Sequence, residues 1–256
     1  MACRTALCRG RRGGDCAPWR GTALPGTASP FTDIARSRRS PGGSCPPHCP
    51  FRTSAAYWNP HRRPPSNSNT QPWTVHVVSG SARDALGKEL LRAEEEGRTS
   101  QDFTDGYSEE GIYLERSQAL DASVYQPRGI ERSDRDGRRA AVRENLEIYG
   151  ASHAAFLFMP ALGDGVRTAG DTGMYAQNFL LSLAARGLAG IPQTVLGVYA
   201  DTVREFLGVP AELKLLHVLL QRRPPDNRSL PGLGRSSAAK TGPPHFQPDC
   251  VPKACP

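Results

Sequence analysis

Pro65-Ser-Asn-Ser-Asn-Thr-Gln-Pro-Trp73 sets short hydrogen-bonding side chains between two prolines and opens straight into Thr74-Val-His-Val-Val-Ser79. A packed core does not take that composition, because each amide or hydroxyl buried without a partner costs free energy. Proline fixes φ and lowers the cost of ordering a loop. The stretch reads as a rigid polar elbow held in front of a strand, and the β-branched alternation after Trp73 supports the strand.

Outward from the elbow, regular signals follow one another. Trp73 to Ser79 is the strand. Ala82 to Glu96 places Ala82, Leu86, Leu90 and Ala93 near helical spacing, with Gly97 as terminator. Residues 98–137 are polar with scattered aromatics (Phe103, Tyr107, Tyr113, Tyr125), a long excursion carrying some helix. Arg138 to Tyr149 reads as a helix stopped by Gly150, and Ala154 to Met159 as a buried strand ended by Pro160. The strongest helix spans Asp171 to Arg186. Asp171 is its N-cap, Met174, Phe179, Leu180 and Leu183 lie on overlapping apolar faces, and Gly187 stops it. Leu188 to Val195 resembles a loop and strand, Asp201 to Leu207 a capped helix ending at Gly208, and Leu213 to Leu220 starts as a strand. Upstream, Phe31 to Ser40 is a short helical pattern with Asp33 near its start. Strands separated by helices imply a layered α+β or α/β domain with one sheet.

Charge divides the chain in the same way. The 256 residues carry a formal charge of +7, yet residues 66–220 hold 15 Lys and Arg against 21 Asp and Glu. The positive excess sits in the flanks, so a basic stripe for a nucleic-acid backbone is not indicated. All seven cysteines also lie outside 66–220, which argues against a disulfide framework or thiolate chemistry there and suits a reducing, cytoplasmic setting. No apolar run approaches the roughly 18–20 residues of a membrane span. The division expected is an irregular extension over 1–30, a folded domain over 31–220 with an atypical stretch at 41–64, and an irregular tail over 221–256.

Several pieces in one order carry a resemblance. Arg38-Arg39-Ser40 precedes the elbow Pro65–Trp73 by about 25 residues. Asp171-x-Gly-x-x-x-Gln-Asn, Ala-Arg-Gly-Leu and Pro192-Gln-Thr194 follow. Together with Ala154–Pro160 and Asp201–Leu207 before Gly-Val-Pro, they resemble the FMN-dependent nitroreductase family over residues 31–40 and 65 to about 216. The resemblance implies a three-layer α/β/α sandwich around a mostly antiparallel or mixed sheet, and a homodimer with FMN at the interface. It implies that Arg38, Arg39 and Ser40 meet the phosphate end of FMN. Ser66, Asn69 and Gln71 meet the flavin, and the segment formed by Pro192, Gln193 and Thr194 brings backbone donors near its redox-active edge. Guanidinium forks suit a phosphate dianion. Amides, carrying donors and acceptors together, suit the pyrimidine end of the ring.

The mechanism implied is ping-pong. NAD(P)H delivers hydride to the flavin and leaves, and a nitroaromatic or quinone-like acceptor takes its place, with no protein nucleophile and no metal. The excursion 98–137 covers the slot and shapes specificity. Residues 41–64 and about 217–256 depart from the family pattern while nearly keeping its spacing, and are enriched in Arg, Pro, Gly and Cys. Out-of-frame translation of a GC-rich gene, by a real frameshift or by a sequencing error, is the expectation that covers both features, and family-like residues in the alternative frames of the coding DNA would be its signature. Other readings stay open: the same fold acting as an enone reductase, dehalogenase or flavin-consuming enzyme, or an inactive product of the altered gene.

Plainer readings also compete. Arg38-Arg39 alone is a solvated helix end, and Gln177-Asn178 an ordinary amide pair on a helix. Cys45-Pro-Pro-His-Cys49 lacks the second half of a zinc site. Gly150-Ala-Ser-His-Ala lacks the last glycine of a hydrolase elbow.

Overall fold

The computed structural model describes residues 31–40, 64–104 and 110–222. Four strands, β1 (Thr74–Ser79), β2 (His153–Pro160), β3 (Ala189–Gln193) and β4 (Leu213–Arg222), form one sheet. Their order is β1–β2–β4–β3, and all neighbouring pairs are antiparallel. Among the described residues six helices accompany them: α1 (Phe31–Ser37), α2 (Gly80–Glu95), α3 (Gly111–Tyr125), α4 (Arg135–Leu146), α5 (Val166–Ala184) and α6 (Ala200–Leu207).

Alternation along β2 builds two cores. Ala154, Phe156 and Phe158 face Leu86 and Leu90 of α2, Leu146 of α4 and Val203 of α6. Ala155 and Leu157 face Tyr175, Phe179, Leu180 and Leu183 of α5. Burial on both faces explains why β2 is an unbroken apolar run rather than an alternating one. The result is the three-layer α+β sandwich expected. In β4, Leu157 pairs with His217 and Phe158 with Leu215, leaving Leu216 over as a bulge. That extra residue lets Leu215 join Val218 and Leu220 in the first core despite its odd position.

Several local expectations need correction. Asp171 does not cap the strongest helix; α5 starts five residues earlier, with Gly165 in the left-handed region (φ 75°) as its N-cap. Met174 is exposed, and Tyr175, Ala176, Phe179, Leu180 and Leu183 form the buried stripe. Ala82 is likewise exposed; α2 buries Leu86, Gly87, Leu90 and Ala93. The long excursion does carry helix, as expected: α3, which has no buried residue. It leans on α4, where the Arg138 guanidinium sits 4.3 Å over the Tyr125 ring. The strand expected from Leu213 runs on to Arg222, so residues 217–222, which depart from the family pattern, complete β4, and Val218, Leu219, Leu220 and Gln221 are buried. The segments 1–30, 41–63, 105–109 and 223–256 lie outside the described residues, and with them the Cys45–Cys49 half-site and Tyr107.

The excursion is fastened where it begins. Asp102, almost wholly buried, accepts from Arg204 of α6 and from the backbone N–H of Leu215 (2.8 Å), and pairs with Lys214 at 3.2 Å. Burial alone would raise its pKa, but Arg204, the Leu215 N–H and Lys214 together hold the carboxyl below the usual range.

Candidate functional site

The elbow is strained and tethered. Ser68 (φ 50°), Asn69 (φ 55°) and Gln71 (φ 48°) all lie in the left-handed region, where non-glycine residues are uncommon. Such outliers persist only where surroundings enforce them, and they cluster at functional sites. Here the Gln71 N–H donates to Ser66 Oγ (3.0 Å), and the Asn67 N–H donates to the Asp171 carboxylate (3.1 and 3.0 Å). Gln71 Nε2 donates to Asn69 Oδ1 at 3.1 Å, so the two amides stand side by side, exposed. Trp73 closes the elbow against Tyr175 of α5, ring centroids 5.2 Å apart.

The two arginines diverge. Arg38 Nη1 donates to Ser40 Oγ (3.1 Å), which donates to the Gly190 carbonyl of β3 (3.4 Å). Arg39 instead donates to the Arg36 and Arg38 carbonyls, satisfying the free end of α1. The plainer reading, a helix end, therefore fits Arg39, while Arg38 is turned toward the sheet.

The third segment alternates. Pro192 and Thr194 are exposed, whereas Gln193 is buried and its Nε2 donates to Asn145 Oδ1 of α4 at 2.8 Å. Asn145 Nδ2 in turn donates to the Val142 carbonyl (2.9 Å). Carbonyls only accept, so this chain fixes which end of each amide faces the other. The Gln193 side chain is thus an inward latch, and its neighbours are the groups presented outward.

Helix α5 holds these pieces to one another. It carries Asp171 for the elbow, packs on α1, and lies on β3 where Gly190 permits close approach. A Cβ at Gly190 would sit 2.5 Å from Leu180 Cδ2 and 3.0 Å from Leu183 Cδ1. Arg38 and the elbow are thus linked through α5 and β3. Ser66, Asn69, Gln71, Arg38 and Ser40 supply hydroxyls, amides and a guanidinium, a donor set that fits a phosphorylated, amide-rimmed heterocycle. A cavity of about 540 Å³ lies elsewhere, between α3 and α4, lined by Tyr125, Ile130, Arg132 and Arg138. No expected site residue lines it.

Asp171, Asn145 and Gly190 escaped the sequence reading in these roles. Their partners lie 104, 48 and 150 residues away along the chain, beyond any local pattern. Among the described residues, no group of three or more His, Cys, Asp and Glu could hold a metal ion, and no helix is long and apolar enough to cross a membrane.

Comparison with known proteins settles the family. The model of the nitroreductase family matches residues 52–220. The chain belongs to the nitroreductase family. The match takes in 52–64 and 217–220, where no likeness was expected, and leaves out the arginine turn at 38–40. The nitroreductase NfnB of Mycolicibacterium smegmatis is 41% identical over 179 residues, 69% of this chain and 75% of that one. A 4-nitrobenzoate reductase of Nocardioides sp. is 32% identical over 195 residues, 73% of this chain and 77% of its own. The crystal structure of the FMN-dependent nitroreductase NfnB from Mycobacterium smegmatis in complex with NADPH superposes with a TM-score of 0.69 at 39% identity, covering 75% of this chain and 86% of that one.

Proposed function

We propose that this nitroreductase-family chain is an FMN-dependent oxidoreductase that takes reducing equivalents from NAD(P)H and reduces nitroaromatic or quinone-like acceptors. The observation that carries the reading is the convergence on α5 and β3. The strained amide elbow is held by α5 and the Arg38–Ser40 turn by β3, the strand on which α5 packs, in a chain 41% identical to a nitroreductase. Arg38 and Ser40, with Arg39 once freed from the end of α1, would hold the phosphate. Ser66, Asn69 and Gln71 would hold the ring's polar rim, and Pro192, Gln193 and Thr194 would border its reactive edge.

FMN supplies the redox chemistry when bound, accepting a hydride from NAD(P)H and passing two electrons on. For a nitroaromatic the balance is Ar–NO2, NAD(P)H and a proton going to Ar–NO, NAD(P)+ and water. The chain's own task is to bind and orient. Amides held in place before binding lower its entropic cost, and donors at the pyrimidine rim favour an electron-rich ring. Donor and acceptor use one face in turn, a ping-pong order. The reading further places the protein in the cytoplasm as a homodimer, with residues 31–220 as its one folded domain.

Titration of purified protein with FMN, followed by flavin fluorescence and visible absorbance, tests it. Arg38→Ala removes a charge-assisted contact of about 1.5–3 kcal/mol, so Kd rises about ten- to hundredfold. Arg92→Ala, on the exposed face of α2, leaves Kd within about twofold, as surface charges far from a ligand do. Protein that binds no FMN, or equal effects of the two substitutions, would defeat the assignment.

A further inference from the structure

Asp171 is the sixth residue of α5 and only 6% exposed. A buried carboxylate is costly unless cations or several donors surround it. Among the described residues, the hydrogen-bond donor that both of its oxygens receive is the single Asn67 N–H. As a packing residue it is a poor choice, and an apolar side chain of the same size would fill the space at lower cost. What the carboxylate holds is the first residue of the 3-10 turn Asn67–Asn69, immediately before left-handed Ser68 and Asn69. The elbow's other side-chain hydrogen bonds, from Gln71 N–H to Ser66 Oγ, Gln71 Nε2 to Asn69 Oδ1 and Thr70 Oγ1 to the Asn67 carbonyl, are internal to it, and Trp73 anchors only its far end on Tyr175. Asp171 joins the strained turn at Asn67–Asn69 to the body of the fold.

We propose that Asp171 is a positioning residue for cofactor binding: its carboxylate pins the elbow in a strained conformation, so that Asn69 and Gln71 stand ready for the flavin. The inference rests on the flavin reading for its ligand and on the hydrogen bonds alone for its geometry. Stability given up in burying the charge and straining the backbone is traded for a loop ordered before the ligand arrives.

The test measures three quantities on the cofactor-free full-length chain and its variants: hydrogen exchange in peptide 64–73, thermal midpoint, and FMN Kd by fluorescence titration. Asp171→Leu is expected to speed exchange in that peptide, to leave the midpoint equal or higher, and to weaken FMN about tenfold by loss of preorganisation. Asp171→Asn keeps an oxygen that accepts the Asn67 N–H and is expected to bind FMN within about threefold of the parent. Unchanged exchange and Kd in Asp171→Leu would overturn the proposal. So would a midpoint that falls as it does for a core lesion, since that marks a merely structural residue. Failure of Asp171→Asn to rescue would overturn it by showing that charge, not the acceptor, matters. If the parent binds no FMN, the functional reading falls, while the exchange result still decides whether Asp171 pins the elbow.

Discussion

Replacing Asp102 by alanine removes the anion to which the start of the excursion is fastened. Arg204 loses its buried partner, the Leu215 N–H its acceptor, and Lys214 an ion pair. The side chains of Asp102 and Arg204 are 4% and 7% exposed, so solvent compensates neither. Removing one half of a buried pair costs about 3–5 kcal/mol. Arg204 keeps Asp201 and the Leu213 carbonyl, which places the expected loss at the lower end, about 3 kcal/mol. That is a large share of a domain stability of about 5–15 kcal/mol. With a urea slope of about 1–3 kcal/mol per molar, the denaturation midpoint drops by about 1–3 M. Urea titrations at neutral pH, followed by circular dichroism, measure it. The double variant Asp102→Ala/Arg204→Met should recover at least half the loss, because no uncompensated guanidinium remains buried. A single-variant loss below about 1 kcal/mol, the value of a surface pair, or a double variant as unstable as the sum of the singles, would refute the reasoning.

Acid should destabilise the fold in two stages. Burial lowers the pKa of His217, and burial with the nearby Arg83 charge lowers that of His153. The unfolded chain therefore takes up protons first, and stability falls as pH drops below the ordinary histidine value of about 6.5. Asp102, whose folded pKa is depressed, contributes stability fully present above about pH 4 and lost as pH falls further through its folded value. Urea midpoints measured from pH 8 to 3 should show both slopes, and His217→Leu should flatten the first. Gly190→Ala is expected to cost about 1–3 kcal/mol by overpacking against Leu180 and Leu183. It should also weaken FMN, because Gly190 receives the Ser40 hydroxyl; differential scanning calorimetry and the fluorescence titration check the two effects.

Local patterns made much of this architecture legible. Gly97 and Gly208 end α2 and α6 in left-handed conformations (φ 66° each), as terminators should. The apolar run 154–159 is β2, and the elbow before Trp73 was visible from composition alone. What escaped depends on tertiary partners. Periodicity shows that a helix has an apolar stripe but not its limits, so the spacing counts Ala82 and Met174 in the stripe although both are exposed. Helix α3 spreads Ile112, Tyr113 and Leu120 across exposed positions and has no single stripe to announce it. Asp171 looked like a cap because capping is a common use of aspartate before an apolar run; its actual partner is a backbone N–H on a distant loop. The end of β4 departs from the family pattern because its leucines run straight into the polar, proline-rich Gln221-Arg-Arg-Pro-Pro.

The sheet order has a consequence for synthesis. β4 is the last described strand along the chain, yet it lies between β2 and β3. While a ribosome is still making residues before Leu213, β1 and β2 can pair as antiparallel strands across the helices that separate them. The pairing that the described structure gives β3 is with β4 alone, so until those residues emerge it has no neighbour. Any premature stop upstream of Leu213 would therefore remove more than a tail. It would leave Ala189–Gln193 without a ladder and expose the leucines of α5 to whatever the nascent chain meets in the tunnel's vestibule.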